Sequence, residues 1–195
     1  VHSRGAALKA LEDLFSAGFT NVSVDLLCGV PRQGLADLDE AIDALAAFPI
    51  THLSCYLLTL PKTHPMYTEL PDEDHQLEHL LHLHDRMTAL GFEHYEISNF
   101  AKPGHRAQHN LAYWTGKSYL GMGPSAHSYD AEGRKRWKNV SNLHRYAEQL
   151  LTGGSAVEWE EHLTDRQLGL ERWMLALRLD DGIPENWLDT DLRRR

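Results

Sequence analysis

Six consecutive residues, His109-Asn110-Leu111-Ala112-Tyr113-Trp114, set an imidazole, a carboxamide, a phenol and an indole side by side. Imidazole nitrogen ligates iron, aromatic faces stack on a planar macrocycle, and a carboxamide orients either partner, so the run has the chemistry of a flat aromatic cofactor site. A loop whose aromatic residues merely plug the core is the bland alternative. The stretch Leu120-Gly121-Met122-Gly123-Pro124-Ser125-Ala126-His127-Ser128 follows, and its glycines mark a place that backbone or ligand approaches closely. His127 stands inside that stretch, beside the candidate loop.

Two further groups of polar residues invite attention. Asp25 interrupts the apolar run Val22 to Gly29, where a carboxylate needs either a functional partner or neighbouring backbone and hydroxyl donors. His75, His79 and His82 fall at helical spacing on one face, as metal ligands could. They are interleaved with Glu73, Asp74, Glu78 and Asp85, however, and read as a solvated face.

The elements that must position these residues follow from periodicity. Ala6, Ala7, Leu8, Leu11, Leu14 and Phe15 mark a first helix stopped by Gly18. Leu35, Leu38, Ile42, Leu45 and Ala46 mark a second, and Leu77, Leu80, Leu81, Met87 and Leu90 a third ending at Gly91. Between them, Val22 to Gly29, Leu53 to Leu58 and Phe92 to Ile97 read as buried strands. Alternation of helix and strand predicts parallel βα units, closed into a barrel or stacked as an open sheet, with ligands at the carboxyl ends of the strands. That rule adds Gly29, Thr59, Glu96, Ser98 and Asn99 to the candidates. Beyond Asn142 a second module is expected to be helical, with Thr164 as an N-cap, and to act as a lid or docking element.

Composition narrows the function classes. With 195 residues, 42% hydrophobic and 24% charged, the chain has the make-up of a globular protein with one sizeable core. Acidic residues outnumber basic ones by 28 to 19, for a net charge of −9, and no long basic stripe could track nucleic acid. The cationic run Arg134-Lys135-Arg136-Trp137-Lys138 reads as a solvated hairpin without a role. No apolar stretch reaches the roughly 18 residues of a membrane span, and a cytoplasmic location is the expectation. Cys28 and Cys55 each sit in an apolar run and are expected to be buried, reduced thiols.

Taken in order, Val24-Asp25-Leu26-Leu27-Cys28-Gly29-Val30-Pro31-Arg32-Gln33, then Tyr95-Glu96-Ile97-Ser98-Asn99-Phe100-Ala101, then His109 to Trp114, then Gly121 to Tyr129 resemble the radical SAM proteins of the oxygen-independent coproporphyrinogen III oxidase-like family, on the side of its haem chaperones. The resemblance implies the carboxy-terminal part of a partial TIM-type (β/α)6 barrel over residues 1–140 and a small, mainly helical C-terminal domain over 141–195. It implies S-adenosylmethionine held by Asp25, Thr59 and His127. Haem would be held by His109, Asn110, Tyr113 and Trp114, with His109 on the iron. The family's [4Fe–4S] cluster needs three closely spaced cysteines, which this sequence lacks, so the chain is expected to be a fragment missing the first half of the barrel and inactive in radical chemistry by itself. The partners implied are haem and haem-accepting proteins, with a peripheral membrane contact left open. A haem chaperone ranks first, a coproporphyrinogen III oxidase acting on propionates second, and an inactive truncated product third.

Overall fold

The computed structural model describes residues 3–187, and the chain divides into two compact units between Ala107 and Gln108. The first begins with α1 (Arg4–Ser16), whose N-cap Ser3 accepts a hydrogen bond from the Ala6 amide. Gly18 ends it as expected, with φ +90°, a conformation that costs glycine nothing. Strand β1 (Ser23–Cys28) pairs in parallel with β2 (His52–Leu57) through the crossover helix α2 (Leu35–Ala46). Helix α3 (Glu73–Ala89) follows, capped by Asp72, which accepts from the His75 amide at 2.9 Å. The expected helices and the first two strands are all present.

The third strand corrects the parallel expectation. β3 (Glu93–Glu96) turns straight back into β4 (Asn99–Ala101), and β4 pairs antiparallel with both β2 and β3, giving the order β1-β2-β4-β3. Only Ile97 and Ser98 connect the two strands, and two residues can close a hairpin but cannot make a parallel crossover. The turn is locked by Glu96, whose carboxylate accepts from the Ser98 amide at 2.9 Å and from the Asn99 carboxamide. Backbone bonds from Cys55 to the Ser98 carbonyl, 2.7 Å, and from Lys102 to the Thr51 carbonyl, 2.8 Å, seat the hairpin against β2.

Strand alternation divides this sheet into two faces. Cys28, Leu53, Cys55 and Phe100 enter a core with Leu38 and Ile42 of α2 and Leu83 and Met87 of α3. Both thiols are buried and unbridged, as their apolar surroundings suggested. The opposite face carries Ser23, Asp25, His52, Ser54 and Asn99 in register. Across it His52, only 3% exposed, forms a strut: its Nδ1 meets the Ser23 hydroxyl and its Nε2 the Tyr95 hydroxyl, both at 2.8 Å. The phenol oxygen also accepts from the Ala107 amide at 3.3 Å.

The second unit starts with α4 (Gln108–Trp114) and contains an antiparallel sheet of β5 (His127–Asp130), β6 (Lys135–Asn139) and β7 (Val157–His162), with α5 (Leu143–Leu151) and α6 (Asp165–Ala176). Thr164 caps α6 in a reciprocal box with Gln167, as the sequence suggested. The cationic run does lie in the β5–β6 hairpin, but it is not a bare solvated face. Lys135 pairs with Glu160 at 2.6 Å, Arg136 with Glu161 and Glu171 at 2.7 Å each, Lys138 with Glu158 at 3.2 Å, and Arg134 with Asp165 at 2.5 Å. The Arg136 hydrogen bond, followed by that of Gln167, holds the Glu161 carboxyl below its ordinary range. β7, missed within the region read as helical, is the acidic strand that this ladder recruits.

The two-faced sheet makes two predictions. Leu38→Ala in the core is expected to cost about 2–5 kcal/mol in urea unfolding, whereas Leu77→Ala on the exposed side of α3 should change stability by less than about 0.5 kcal/mol. Burial pushes the His52 pKa below its ordinary 6.5, outweighing the pull of Asp25 and Glu96. The unfolded chain therefore takes up that proton first as pH falls below 6.5. The stability that neutral His52 contributes is complete above 6.5 and is lost as pH falls toward the lower folded value. His52→Gln should accordingly flatten the decline of unfolding free energy between pH 7 and 5; an unchanged slope would remove His52 from that role.

Candidate functional site

In the first unit the polar sheet face forms one candidate site. Asp25 does not point into the core; it is exposed in the middle of β1, level with Ser54 of β2. The carboxylate thus avoids the burial cost that made it conspicuous in the sequence, because its side of the sheet is the open one. Beyond Ser54 on the same face, Asn99 of β4 and Glu96 of β3 are both buried, and Asn99 Oδ1 is sealed from water with no hydrogen-bond partner. A buried amide oxygen without a donor costs about 1–3 kcal/mol and marks a position where a ligand hydroxyl or amine would be accepted. Thr59 stands two residues past the carboxyl end of β2, exposed, with its hydroxyl 3.5 Å from the Leu57 carbonyl. The structure therefore places Asp25 midway along the edge strand β1 and Thr59 beyond the carboxyl end of β2.

His52, Ser54 and Tyr95 belong to this face and were missed from sequence. For His52 and Ser54 the signal was the alternation His52-Leu53-Ser54-Cys55, polar then apolar, at the start of the run Leu53 to Leu58 read as buried. Glu96 and Asn99 were reached by the strand-end rule, although the hairpin that brings them together was not.

The second candidate site is built on α4. His109 and Tyr113 share one helix face at i and i+4, and the Tyr113 hydroxyl lies 2.8 Å from His109 Nε2, the rings meeting edge-on with centroids 4.8 Å apart. Tyr113 also meets Tyr119 edge-on at 4.4 Å, and Tyr119 continues to Tyr129 at 6.1 Å. Burial is the first cause that raises the Tyr119 and Tyr129 hydroxyls above their ordinary range, so both remain protonated near neutrality. His109 is exposed, Asn110 half-buried, and Trp114 packs beneath the Arg178 guanidinium at 4.2 Å with its indole N–H buried and unpartnered.

The glycine-rich stretch has a local purpose. A Cβ on Gly121 would stand 2.2 Å from the His127 carbonyl oxygen, so the chain's own strand is the backbone that approaches here. The loop is pinned by Ser128, whose hydroxyl accepts from the Gly121 amide at 2.9 Å, and by Asn139, which donates to the Gly121 and Gly123 carbonyls at 3.2 and 3.0 Å. His127 is exposed at the start of β5, opposite Lys138.

The other metal candidates disperse. His75 bonds Asp72 at 2.6 Å, His82 bonds Asp39 at 2.9 Å, and His79 is buried, so the face is less solvated than its charges suggested. Cys28 and Cys55 do not fit an iron–sulfur cubane either: they are two thiols, both sealed in the core, where three accessible thiolates are needed. Among the described residues no helix is long and apolar enough to cross a membrane.

No protein-family model matches the chain. The chain is 36% identical over 192 residues to the heme chaperone HemW of Mycobacterium tuberculosis, covering 94% of this chain and 48% of that protein. It is 32% identical over 191 residues to the heme chaperone HemW of Bacillus subtilis, with 94% and 50% covered. The solved coproporphyrinogen III oxidase HemN of Escherichia coli, described as a radical SAM enzyme, superimposes with a TM-score of 0.73 at 20% identity, over 92% of this chain and 45% of that one. The chain thus spans about half the length of the curated relatives that it matches. Over that half its sequence is similar to proteins named heme chaperone HemW, and its fold is the one seen in the solved coproporphyrinogen III oxidase.

Proposed function

We propose that the chain is the haem-handling part of a radical SAM-type haem chaperone, taking haem on α4 and passing it to a haem-requiring protein. The observation that carries this reading is the α4 cluster. It combines an exposed imidazole, a chain of three tyrosine rings and a buried indole N–H without a partner. Leu120 and Met122, 70% and 86% exposed on the loop after Tyr119, add apolar surface suited to a macrocycle. In this reading His109 supplies the axial nitrogen, Tyr113 and Trp114 bound the ring, and Asn110 orients a propionate or the imidazole. Haem is here the cargo, and its iron displaces the Tyr113 hydroxyl from His109 Nε2.

The polar sheet face is the proposed S-adenosylmethionine site, with Asp25 and the orphaned Asn99 oxygen accepting hydrogen bonds from its hydroxyl or amine groups and Thr59 at the sheet edge. When bound beside a cluster, that group supplies a carbon radical; the residues here contribute binding and orientation, and no cluster is assigned to them. Residues 1–140 would then be the barrel part and 141–195 the C-terminal module, in a cytoplasmic protein.

Titration with haemin, followed at the Soret band, tests the first site. The chain should show a saturable shift that His109→Ala abolishes, and Tyr113→Phe should tighten binding by up to about tenfold because it removes the bond competing for Nε2. Equal titration curves for the chain and His109→Ala would overturn the axial role. Calorimetry with S-adenosylmethionine tests the second site: Asp25→Asn should bind about tenfold more weakly, and equal affinities would exclude Asp25.

A further inference from the structure

On the core side of the first sheet, α3 and β3 bring two imidazoles together. His84 Nδ1 and His94 Nδ1 are 2.9 Å apart, with ring centroids at 5.2 Å and planes inclined by 50°. His94 is held on two other sides. Its ring stacks on Phe100 with centroids 4.1 Å apart, and its Nε2 lies 3.2 Å from the Ile97 carbonyl oxygen. A carbonyl can only accept, so Nε2 carries the hydrogen, and neutral His94 presents a bare lone pair on Nδ1. A backbone carbonyl orienting the far nitrogen in this way is the usual second support of a metal-binding histidine. His84 then supplies the proton of the Nδ1–H···Nδ1 bond. The pair borders a cavity of about 280 Å³ whose other walls include Leu80, Leu81, Ile97 and Cys55.

We propose that His84 and His94 form a two-histidine site for a divalent cation of the zinc class, completed by water. Two imidazoles bound to one ion at 2.0–2.1 Å with a tetrahedral angle hold their nitrogens about 3.3 Å and their centroids about 5.2 Å apart. The centroids already stand at that separation, so pivoting the rings in place opens the nitrogens by the few tenths of an ångström required. The proton on His84 Nδ1 moves to Nε2 of the same exposed ring, and no net proton is released. Cys55 stays outside the ligand set: its hydrogen bond with Cys28, and then burial, push its thiol far up, and it remains neutral. Among the described residues no three His, Cys, Asp or Glu side chains converge on one point, so this site has two protein ligands and exchanges its ion readily. Binding there joins α3 to β3 and stiffens the hairpin that carries Glu96 and Asn99.

Calorimetric titration of the 195-residue chain with zinc ion is the test. Saturable binding is expected, weakened about tenfold or more by His84→Gln and by His94→Gln and unchanged by His75→Gln. His84 is exposed, so its substitution leaves the fold intact, which far-ultraviolet circular dichroism checks. Zinc-dependent shifts of the Nδ1 resonances of His84 and His94 in nitrogen-15 spectra would support the site independently. Binding by His84→Gln equal to that of the parent chain, or no saturable binding by the parent, would overturn it.

Discussion

The first unit depends on the period-two alternation of β2, which sends Leu53 and Cys55 into the core and leaves His52 and Ser54 on the other side. A slip of one residue would bury an imidazole and a hydroxyl among leucines and expose the core, so the register is strongly specified. From this one constraint the rest follows. The core face must be covered, and α2 and α3 cover it. The polar face must have its groups satisfied, and Ser23, Tyr95 and the hairpin residues satisfy most of them. Asn99 Oδ1 is the acceptor on that face which they leave without a partner.

The second unit is organised differently, with few fully buried apolar side chains and much pairing across strands. β6 carries Lys135, Arg136 and Lys138 and β7 carries Glu158, Glu160 and Glu161; Arg136 pairs with Glu161 directly across, while Lys135 and Lys138 reach diagonally to Glu160 and Glu158. Isolated surface pairs contribute little, but Arg136 bridges two carboxylates from different elements and so joins the sheet to α6. The glycine-rich loop belongs to the same economy of backbone contact: it lies so close to β5 that only glycine fits at position 121. Both devices set the surroundings in which α4 presents its ring cluster.

Chemically, the two candidate sites make different demands. The α4 cluster keeps an imidazole accessible yet engaged by a neighbouring phenol, an arrangement that suits a cargo taken up and released again. The sheet face combines a solvent-facing carboxylate with a buried, orphaned acceptor, which suits a polar small molecule lying flat across the strands. The His84 and His94 pair, on the core side of the same hairpin, couples the position of β3 to α3.

The boundaries of α1, α2 and α3, the cap of α6 and the burial of both cysteines were legible in the sequence, because each depends on a residue and its neighbours within a few positions, with Gly18 and Gly91 as stops and Thr164 as a cap; the run His109 to Trp114, which reads as a loop, is instead helix α4. The family likeness was legible too, since motif order and spacing survive in the linear chain. What only the tertiary structure decided was long-range. The hairpin β3–β4, the strut through His52, the approach of β5 to Gly121, the ladder that draws in β7 and the meeting of His84 with His94 all join residues whose partners are chosen by strand register and turn geometry. No local propensity encodes those choices, and a charge or an imidazole reads the same in sequence whether it meets water, a carboxylate or another ring.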